Sequence, residues 1–315
     1  MLSVVRFLAI AAVAVFLLVI ASGIVVRRTA AWIRGTTAFA QQLRASSSRQ
    51  RWTERAVLLA GAVVALSLVD AAIEPYRPIV EHVAITDSRL AAGQTVRIVH
   101  LSDLHSEARA KLEDVLPDKV ADLAPDVIAF TGDAVNHDDG VANFRRTMTS
   151  LARIAPVVAV RGNWDVWWFP HARLFEDTGA RELKNEAVPI RVRGQEIWLV
   201  GIPVDFEAMA GRAFSGVPPG RPVVFLHHFP WAVKLAAARG AVLHLAGDTH
   251  GGQARLPWLG ELLRIARHRV WRPLGLQREG GTWLYVSRGI GTEGNLPPLR
   301  LFCRPEITLI ELRGP

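Results

Sequence analysis

The chain has one cysteine, Cys303, in 315 residues, so an intramolecular disulfide is excluded and the redox compartment stays open. It has no internal repeat and no low-complexity tract, which excludes solenoid and array architectures. Acid is almost missing between residues 27 and 55, where Glu54 stands alone against Arg27, Arg28, Arg34, Arg44, Arg49, Arg51 and Arg55. A surplus of positive charge is also missing from the larger part of the chain. The formal net charge is +8, but residues 1–75 hold eight arginines and three acids, leaving about +3 for the rest. That is too little for a phosphate-backbone footprint, no basic stripe lies near the metal-ligand motifs, and no nucleic-acid partner is expected.

Long apolar runs are present at the N-terminus. Phe7 to Val26 is apolar or small throughout, flanked by Arg6 and Arg27-Arg28, and about 20 such residues in a helix match the hydrocarbon thickness. Ala56 to Ile73 is nearly as apolar, with Asp70 near its end. A cleaved signal peptide is the alternative for the first run, but the run exceeds the usual apolar region and no clear A-x-A site closes it. The expectation is a first transmembrane helix with its flanks over residues 1–28, a basic cytoplasmic loop over 29–55, a second transmembrane helix over 56–75, and a soluble domain over 76–315. Short arginine-rich loops stay in the cytoplasm, so the soluble domain is expected on the other side of the membrane.

Within that domain, short apolar runs repeatedly end in metal-ligand chemistry. Val96–Leu101 ends in Ser102-Asp103-Leu104-His105, Val127–Phe130 in Thr131-Gly132-Asp133, and Val157–Val160 in Arg161-Gly162-Asn163. Val223–Leu226 ends in His227-His228, and Val242–Ala246 in Gly247-Asp248-Thr249-His250. Five strands each delivering Asp, Asn or His place polar groups on a rigid scaffold. Further strands are expected at 83–85, 197–202, 283–287 and 307–312 and helices at 108–123 and 142–154, an alternation typical of layered α/β domains. Asp-x-His sets carboxylate beside imidazole, which suits Mn²⁺, Zn²⁺ or Fe²⁺. Unrelated turn residues and satisfied core histidines are the structural alternative, but independent turns would not share this chemistry and context.

The ordered set D-x-H, G-D, G-N-x-D, H-x-P and G-x-x-H resembles the calcineurin-like metallophosphoesterases, and within them the membrane-attached bacterial phosphohydrolases. The resemblance runs from about Thr95 to Leu312 and includes Leu183-Lys184-Asn185-Glu186-Ala187, Gly251-Gly252-Gln253, Tyr285 to Gly291, and Arg304-Pro305-Glu306-Ile307. It implies a four-layer α/β/β/α sandwich and two divalent cations, Mn²⁺ first, with Zn²⁺, Fe²⁺ or Mg²⁺ as alternatives. Asp103, His105 and His250 would hold one ion, Asp133 would bridge, and Asn163 with His228 would hold the second. Asp133, Asn163 and His228 are accordingly the expected catalytic residues. Two cations about 3.5–4 Å apart can share a hydroxide and offset charge developing at phosphorus. His227 competes with His228, which is preferred because His228-Phe229-Pro230 has the H-x-P spacing.

Two positions depart from the family. Gly162-Asn163-Trp164-Asp165 stands where G-N-H-[DE] is usual, so the histidine often assigned as general acid is replaced by Trp164. Gly247-Asp248-Thr249-His250 stands where G-H-x-H is usual. Asp248 can still ligate, and a carboxylate there favours a harder ion such as Mn²⁺ or Mg²⁺. Without the histidine the reaction needs a good leaving group, which favours diesters or pyrophosphates over alkyl monoesters.

Trp164, Trp167 and Trp168 line an apolar substrate groove or simply fill core space. Residues 254–281 combine six arginines with Leu256, Trp258, Leu259 and Trp271, a composition of either a bilayer interface or a solvated charged face. The function expected is phosphodiester or pyrophosphate hydrolysis on a membrane-proximal phosphate ester, with a lipid-linked phosphate as the substrate if the interfacial reading of 254–281 holds. The alternatives are a hydrolase like the UDP-2,3-diacylglucosamine pyrophosphatases, a related group that also lacks the usual histidine, and a catalytically weak membrane scaffold. A nuclease is disfavoured by the weak charge.

Overall fold

The structure is a computed structural model that describes residues 2–35, 37, 47–256, 260–261, 274–294 and 298–315. Most of the arginine-rich stretch expected to lie at an interface, including Trp258, Leu259, Arg264, Arg267 and Trp271, falls outside the described residues, as does Arg44.

Two long helices open the chain, α1 (Leu2–Ile33) and α2 (Ser48–Ile73). The 22-residue segment Ala12–Ile33 of α1 and the 29-residue segment Ser48–Tyr76, α2 with the turn that follows it, are long and apolar enough to cross a membrane. Ser47 caps α2 by accepting from the Gln50 N–H at 3.1 Å, the usual device for an orphan N-terminal donor. The helices approach closely where Gly61 faces Ala21, and Arg28 pairs with Glu54 at 2.5 Å at one end of the pair. A short 3₁₀ turn, Glu74–Tyr76, hands the chain to the domain.

Two six-stranded sheets form the centre. The first runs β1 (Ile79–Thr86), β14 (Glu306–Arg313), β2 (Thr95–Leu101), β3 (Val127–Phe130), β4 (Val157–Ala159), β5 (Arg181–Glu182). The second runs β12 (Gly275–Glu279), β13 (Thr282–Val286), β9 (Leu243–Ala246), β8 (Val223–Leu226), β7 (Gln195–Gly201), β6 (Glu186–Val192). A separate antiparallel ribbon pairs β10 (Arg255–Leu256) with β11 (Gly260–Glu261). β2, β3, β4 and β5 are mutually parallel, as are β7, β8, β9 and β13. The central ones, β3, β4, β8 and β9, are buried along their whole length and therefore read as near-continuous apolar runs rather than alternating ones.

Burial divides the residues into layers. Ile98, Val127, Ala129 and Val158 of the first sheet pack against Leu199, Val224, Leu226, Leu243 and Leu245 of the second. The outer face of the first sheet, with Val99, Leu101, Ile128 and Phe130, is covered by the helices Leu116–Ala121 and Val141–Ala152 through Leu116, Val120, Phe144, Met148 and Leu151. The outer face of the second, with Val200, Val223 and Phe225, is covered by Ala210, Ala213 and Ala236 of the short helices Ala210–Ser215 and Val233–Ala238. The result is the expected α/β/β/α order.

The helix expected at 108–123 is corrected: only Leu116–Ala121 is helical. Residues 107–115 form bends and turns held by side chains. Glu113 accepts from the Lys111 N–H at 2.6 Å, and Lys111 Nζ meets Glu107 at 2.7 Å. Pro117 then fits the first helical turn, where no N–H is needed.

Candidate metal centre

Every motif loop leaves the C-terminal end of a parallel strand, so the two sheets present their chemistry on one rim. Asp103 and His105 follow β2, Asp133 follows β3, Asn163 follows β4, His228 follows β8, and Asp248 and His250 follow β9. The backbone turns sharply to aim these side chains. Asp103, His105, Asp133, Asp248 and His250 have φ of +53°, +45°, +57°, +69° and +47°, a left-handed conformation that costs residues with a Cβ roughly 1–3 kcal/mol each and persists only where the surroundings impose it.

Two donor groups form at the rim. The ligand atoms of Asp103, His105 and His250 lie within 4.8 Å of one another, as do those of Asp103, Asp133 and His228, and all are buried. The groups meet at Asp103 and along a line of close contacts. His105 Nε2 is 3.6 Å from Asp133 Oδ2, His228 Nε2 is 3.3 Å from the same oxygen, and His250 Nε2 is 3.3 Å from Asp103 Oδ1. Asp248 Oδ1 lies 3.9 Å from His228 Nε2, and the Asp248 N–H donates to Asp103 Oδ1 at 3.1 Å. Asn163 directly follows Gly162, where a Cβ would overlap the Asp133 carboxylate, and the Trp164 N–H donates to Asp133 Oδ1 at 2.9 Å.

Outer partners fix which ring nitrogen faces inward. His105 Nδ1 bonds Asn136 Oδ1 at 2.8 Å, and His228 Nδ1 bonds the Thr131 carbonyl at 2.6 Å. Both acceptors require an Nδ1–H, which leaves each Nε2 as a free lone pair in the neutral ring. Asp165 works on the backbone instead, its carboxylate accepting from the Asp133, Ala134 and Gly162 N–H groups at 2.9, 2.8 and 3.0 Å. It thereby ties the β3 and β4 loops together. His227 turns away, with Nδ1 2.8 Å from the Ile202 carbonyl and Nε2 3.1 Å from Glu207, and it stacks on Phe225.

The electrostatics of the site are those of too many buried charges of one sign. Burial, with repulsion from Asp133, pushes Asp103 up to about 6, and burial with Asp133 and Asp103 pushes Asp248 up to about 8. Burial would lower His228, but the Asp133, Asp103 and Asp248 carboxylates overcome it and hold the ring well above its ordinary value. Burial lowers His105 to about 4 and takes His250 well below the usual range. An imidazolium at His228 thus offsets part of the carboxylate charge, which a divalent ion would offset more completely.

The residues fit such ions. Asp103 Oδ2, Asn163 Oδ1 and Asp248 Oδ2 are buried with no hydrogen-bond partner among the described residues, although buried polar atoms are normally paired. Hard carboxylate and amide oxygens with borderline imidazoles make a donor set for Mn²⁺, Fe²⁺ or Zn²⁺.

Sequence reasoning did not assign roles to Asn136, Thr131 or Asp165. Asp165 had a signal, its place in the G-N-x-D motif. Asn136 and the Thr131 carbonyl had none, because the groups they orient lie 31 and 97 residues away.

Beside the donor groups sits an aromatic rim. The Trp164 ring lies edge-on to His105 at 5.4 Å and near Trp168 at 6.3 Å. Trp167, Trp168 and Phe206 are exposed, and the Trp167 indole N–H donates to Asp205 at 2.5 Å.

The calcineurin-like phosphoesterase family profile matches residues 96–262. Phosphodiesterase YaeI of Escherichia coli (strain K12) is 31% identical over 230 residues, covering 69% of this chain and 82% of that protein. The metallophosphoesterase YkuE of Bacillus subtilis (strain 168) is 28% identical over 238 residues, covering 69% of this chain and 79% of that one. Among solved structures, TT1561 of Thermus thermophilus aligns with a TM-score of 0.41 and 14% identity over 62% of this chain and 91% of that chain.

Proposed function

Since the chain belongs to the calcineurin-like phosphoesterase family and is a hydrolase of phosphoester bonds, we propose that it cleaves phosphodiesters or pyrophosphates at a membrane surface through a dinuclear centre. The observation that carries this reading is the buried Asp133 carboxylate standing between the two donor groups, its Oδ2 3.6 Å from His105 Nε2 and 3.3 Å from His228 Nε2. Asp103, His105 and His250 would hold one ion, Asn163, His228 and Asp248 the other, and Asp133 would bridge them. When bound, two divalent cations supply Lewis acidity toward the phosphoryl oxygens and toward water. Mn²⁺ is the ion of choice, because Asp248 adds a hard oxygen donor in place of a second imidazole.

The rest of the chemistry falls to the chain's own side chains. Asn136 and Thr131 hold the His105 and His228 rings with Nε2 inward. Trp164 N–H and the Asp165 carboxylate fix the Asp133 loop. The Trp164 indole N–H points to the Asn136 carbonyl at 3.5 Å, so no imidazole protonates the leaving oxygen from this position. That favours a leaving group stable as an anion, a phenolate or a phosphate. The exposed Trp167, Trp168 and Phe206 beside the centre supply apolar contact for an aryl or acyl portion of the substrate.

The membrane assignment is supported by the two apolar helices and by the arginine-rich connection between them. In this reading residues 1–28 and 56–75 span a bacterial inner membrane, 29–55 lie in the cytoplasm, and residues 76–315 work outside it. The full-length chain in nanodiscs, loaded with Mn²⁺ and given an activated aryl phosphodiester, is the decisive preparation. Turnover well above an Asp133→Ala control is expected, and equal rates would overturn the assignment.

A further inference from the structure

The C-terminal end of α2 does not simply tether the domain; it is joined to the candidate metal centre by a continuous set of buried polar contacts. The Glu74 side chain, 4% exposed, accepts from the Phe302 N–H at 2.7 Å and from the Cys303 N–H at 2.6 Å. Two residues earlier in the same segment, the Arg300 N–H donates to the Ala71 carbonyl of α2 at 3.1 Å. Segment 300–303 is therefore clamped at both ends by the last turns of the helix.

From that segment two routes lead to proposed ligands. The Arg300 guanidinium is fully buried and donates to the carbonyls of Arg288 at 3.0 Å, Gly289 at 3.2 Å, Cys303 at 3.0 Å and Gly291. The turn it holds, 288–291, lies directly on Asp103. The Gly291 N–H donates to the Asp103 carbonyl at 2.6 Å and the Ile290 N–H to that of Ser102 at 3.0 Å. Gly289, at φ +70°, leaves no room for a Cβ, which would stand 2.6 Å from Asp103 Cβ. The second route runs to His250. The Leu301 N–H donates to the Gln253 carbonyl at 2.9 Å, the Arg255 N–H donates back to Leu301 at 2.8 Å, and Cys303 Sγ lies 3.3 Å from the His250 carbonyl.

We infer that Glu74 and Arg300 are positioning residues for the metal centre, so that the end of the second apolar helix sets the geometry of Asp103 and His250. The inference rests on the dinuclear reading above. Physically, a fully buried guanidinium is costly unless its donors are used, and here they are spent on the turn that backs Asp103. A left-handed Asp103 needs surroundings that over-determine it, and this turn supplies them.

The test is Mn²⁺ titration by calorimetry of the full chain in nanodiscs, well below the unfolding temperature, with exchange of the 289–291 amides followed in the metal-free protein. Glu74→Ala and Arg300→Met are expected to weaken the ion held by Asp103, His105 and His250 about 10–100-fold, as loss of outer supports does, to leave the second ion's affinity nearly unchanged, and to speed amide exchange at 289–291. Glu74→Gln, which keeps one acceptor oxygen, should recover part of the loss. Arg304→Ala removes a neighbouring junction contact, Nε to the Arg77 carbonyl at 2.7 Å, and should bind Mn²⁺ as the unmodified chain does. Unchanged affinity in Glu74→Ala and Arg300→Met would overturn the inference, and so would an equal loss at both ions or in Arg304→Ala. An unmodified chain that binds no Mn²⁺ would instead overturn the metal centre itself.

Discussion

His105 and His250 turn their Nε2 atoms toward each other at 3.1 Å. Burial lowers both rings, His105 to about 4, so near neutrality neither carries a full charge and the outward Nδ1–H of His105 leaves its inner lone pair unshared. A cation between them would take the His105 lone pair as a ligand, together with that of His250 in the tautomer that carries its proton on Nδ1. The first prediction follows from that pair. His250→Ala should reduce bound Mn²⁺, measured by elemental analysis, from two ions per chain to one. Asn136→Ala, which releases the His105 ring and also the Glu107 and Thr292 oxygens that the Asn136 amide bonds, should lower metal affinity about 10–100-fold. Retention of two tightly held ions in His250→Ala would remove the assignment of that site.

The second prediction concerns pH. Burial with neighbouring carboxylates holds Asp248 at about 8 and Asp103 at about 6, so at pH 7 the metal-free chain keeps a proton on Asp248, and His228 carries another. Ion binding must expel these protons, because ligands coordinate in their deprotonated form. Apparent Mn²⁺ affinity should therefore rise with pH between about 6 and 8, by about tenfold per unit for each proton displaced. Calorimetry in two buffers of different ionisation enthalpy reads the protons released at pH 7; a pH-independent affinity would contradict the electrostatics described.

The third concerns the tryptophan beside the centre. Restoring an imidazole with Trp164→His should raise kcat on alkyl phosphate esters by about 10²-fold or more, the usual worth of a positioned general acid, while aryl diesters gain little. Rates across a series of leaving groups would show a shallower dependence on leaving-group pKa in the variant. An identical dependence in the two proteins would mean that position 164 has no part in protonating the leaving oxygen.

The fourth is structural. Asp165→Ala strips the acceptor from three backbone N–H groups, and each buried donor left without a partner costs about 1–3 kcal/mol. A stability loss of at least about 3 kcal/mol is expected in chemical denaturation, with reduced metal content. Asp165→Asn, which retains one carbonyl oxygen, should lose less. Undiminished stability in the alanine variant would show that the β3 and β4 loops are held by something else.

Much of this protein was determined by local sequence. Runs such as Val127–Phe130 and Val223–Leu226 are strands because sheets covered on both faces demand unbroken apolar residues, and the polar residues that close them identify the rim where chemistry gathers. The two N-terminal apolar runs announce long helices by length alone. Local pattern failed at 108–123, where side-chain bonds from Glu113 and Glu107 compete with the helix ladder. Between His227 and His228 only the H-x-P spacing favoured His228, since neighbouring residues share composition and differ in where each ring points.

What tertiary structure alone decided is the meeting of distant parts. His105 and His250 are 145 residues apart, and Glu74 reaches Cys303 across 229. Contacts of that separation leave no periodicity in the chain. Nor could sequence announce that Asp103, His105, Asp133, Asp248 and His250 all adopt positive φ, because local preference opposes that conformation and only the packed loops around them impose it.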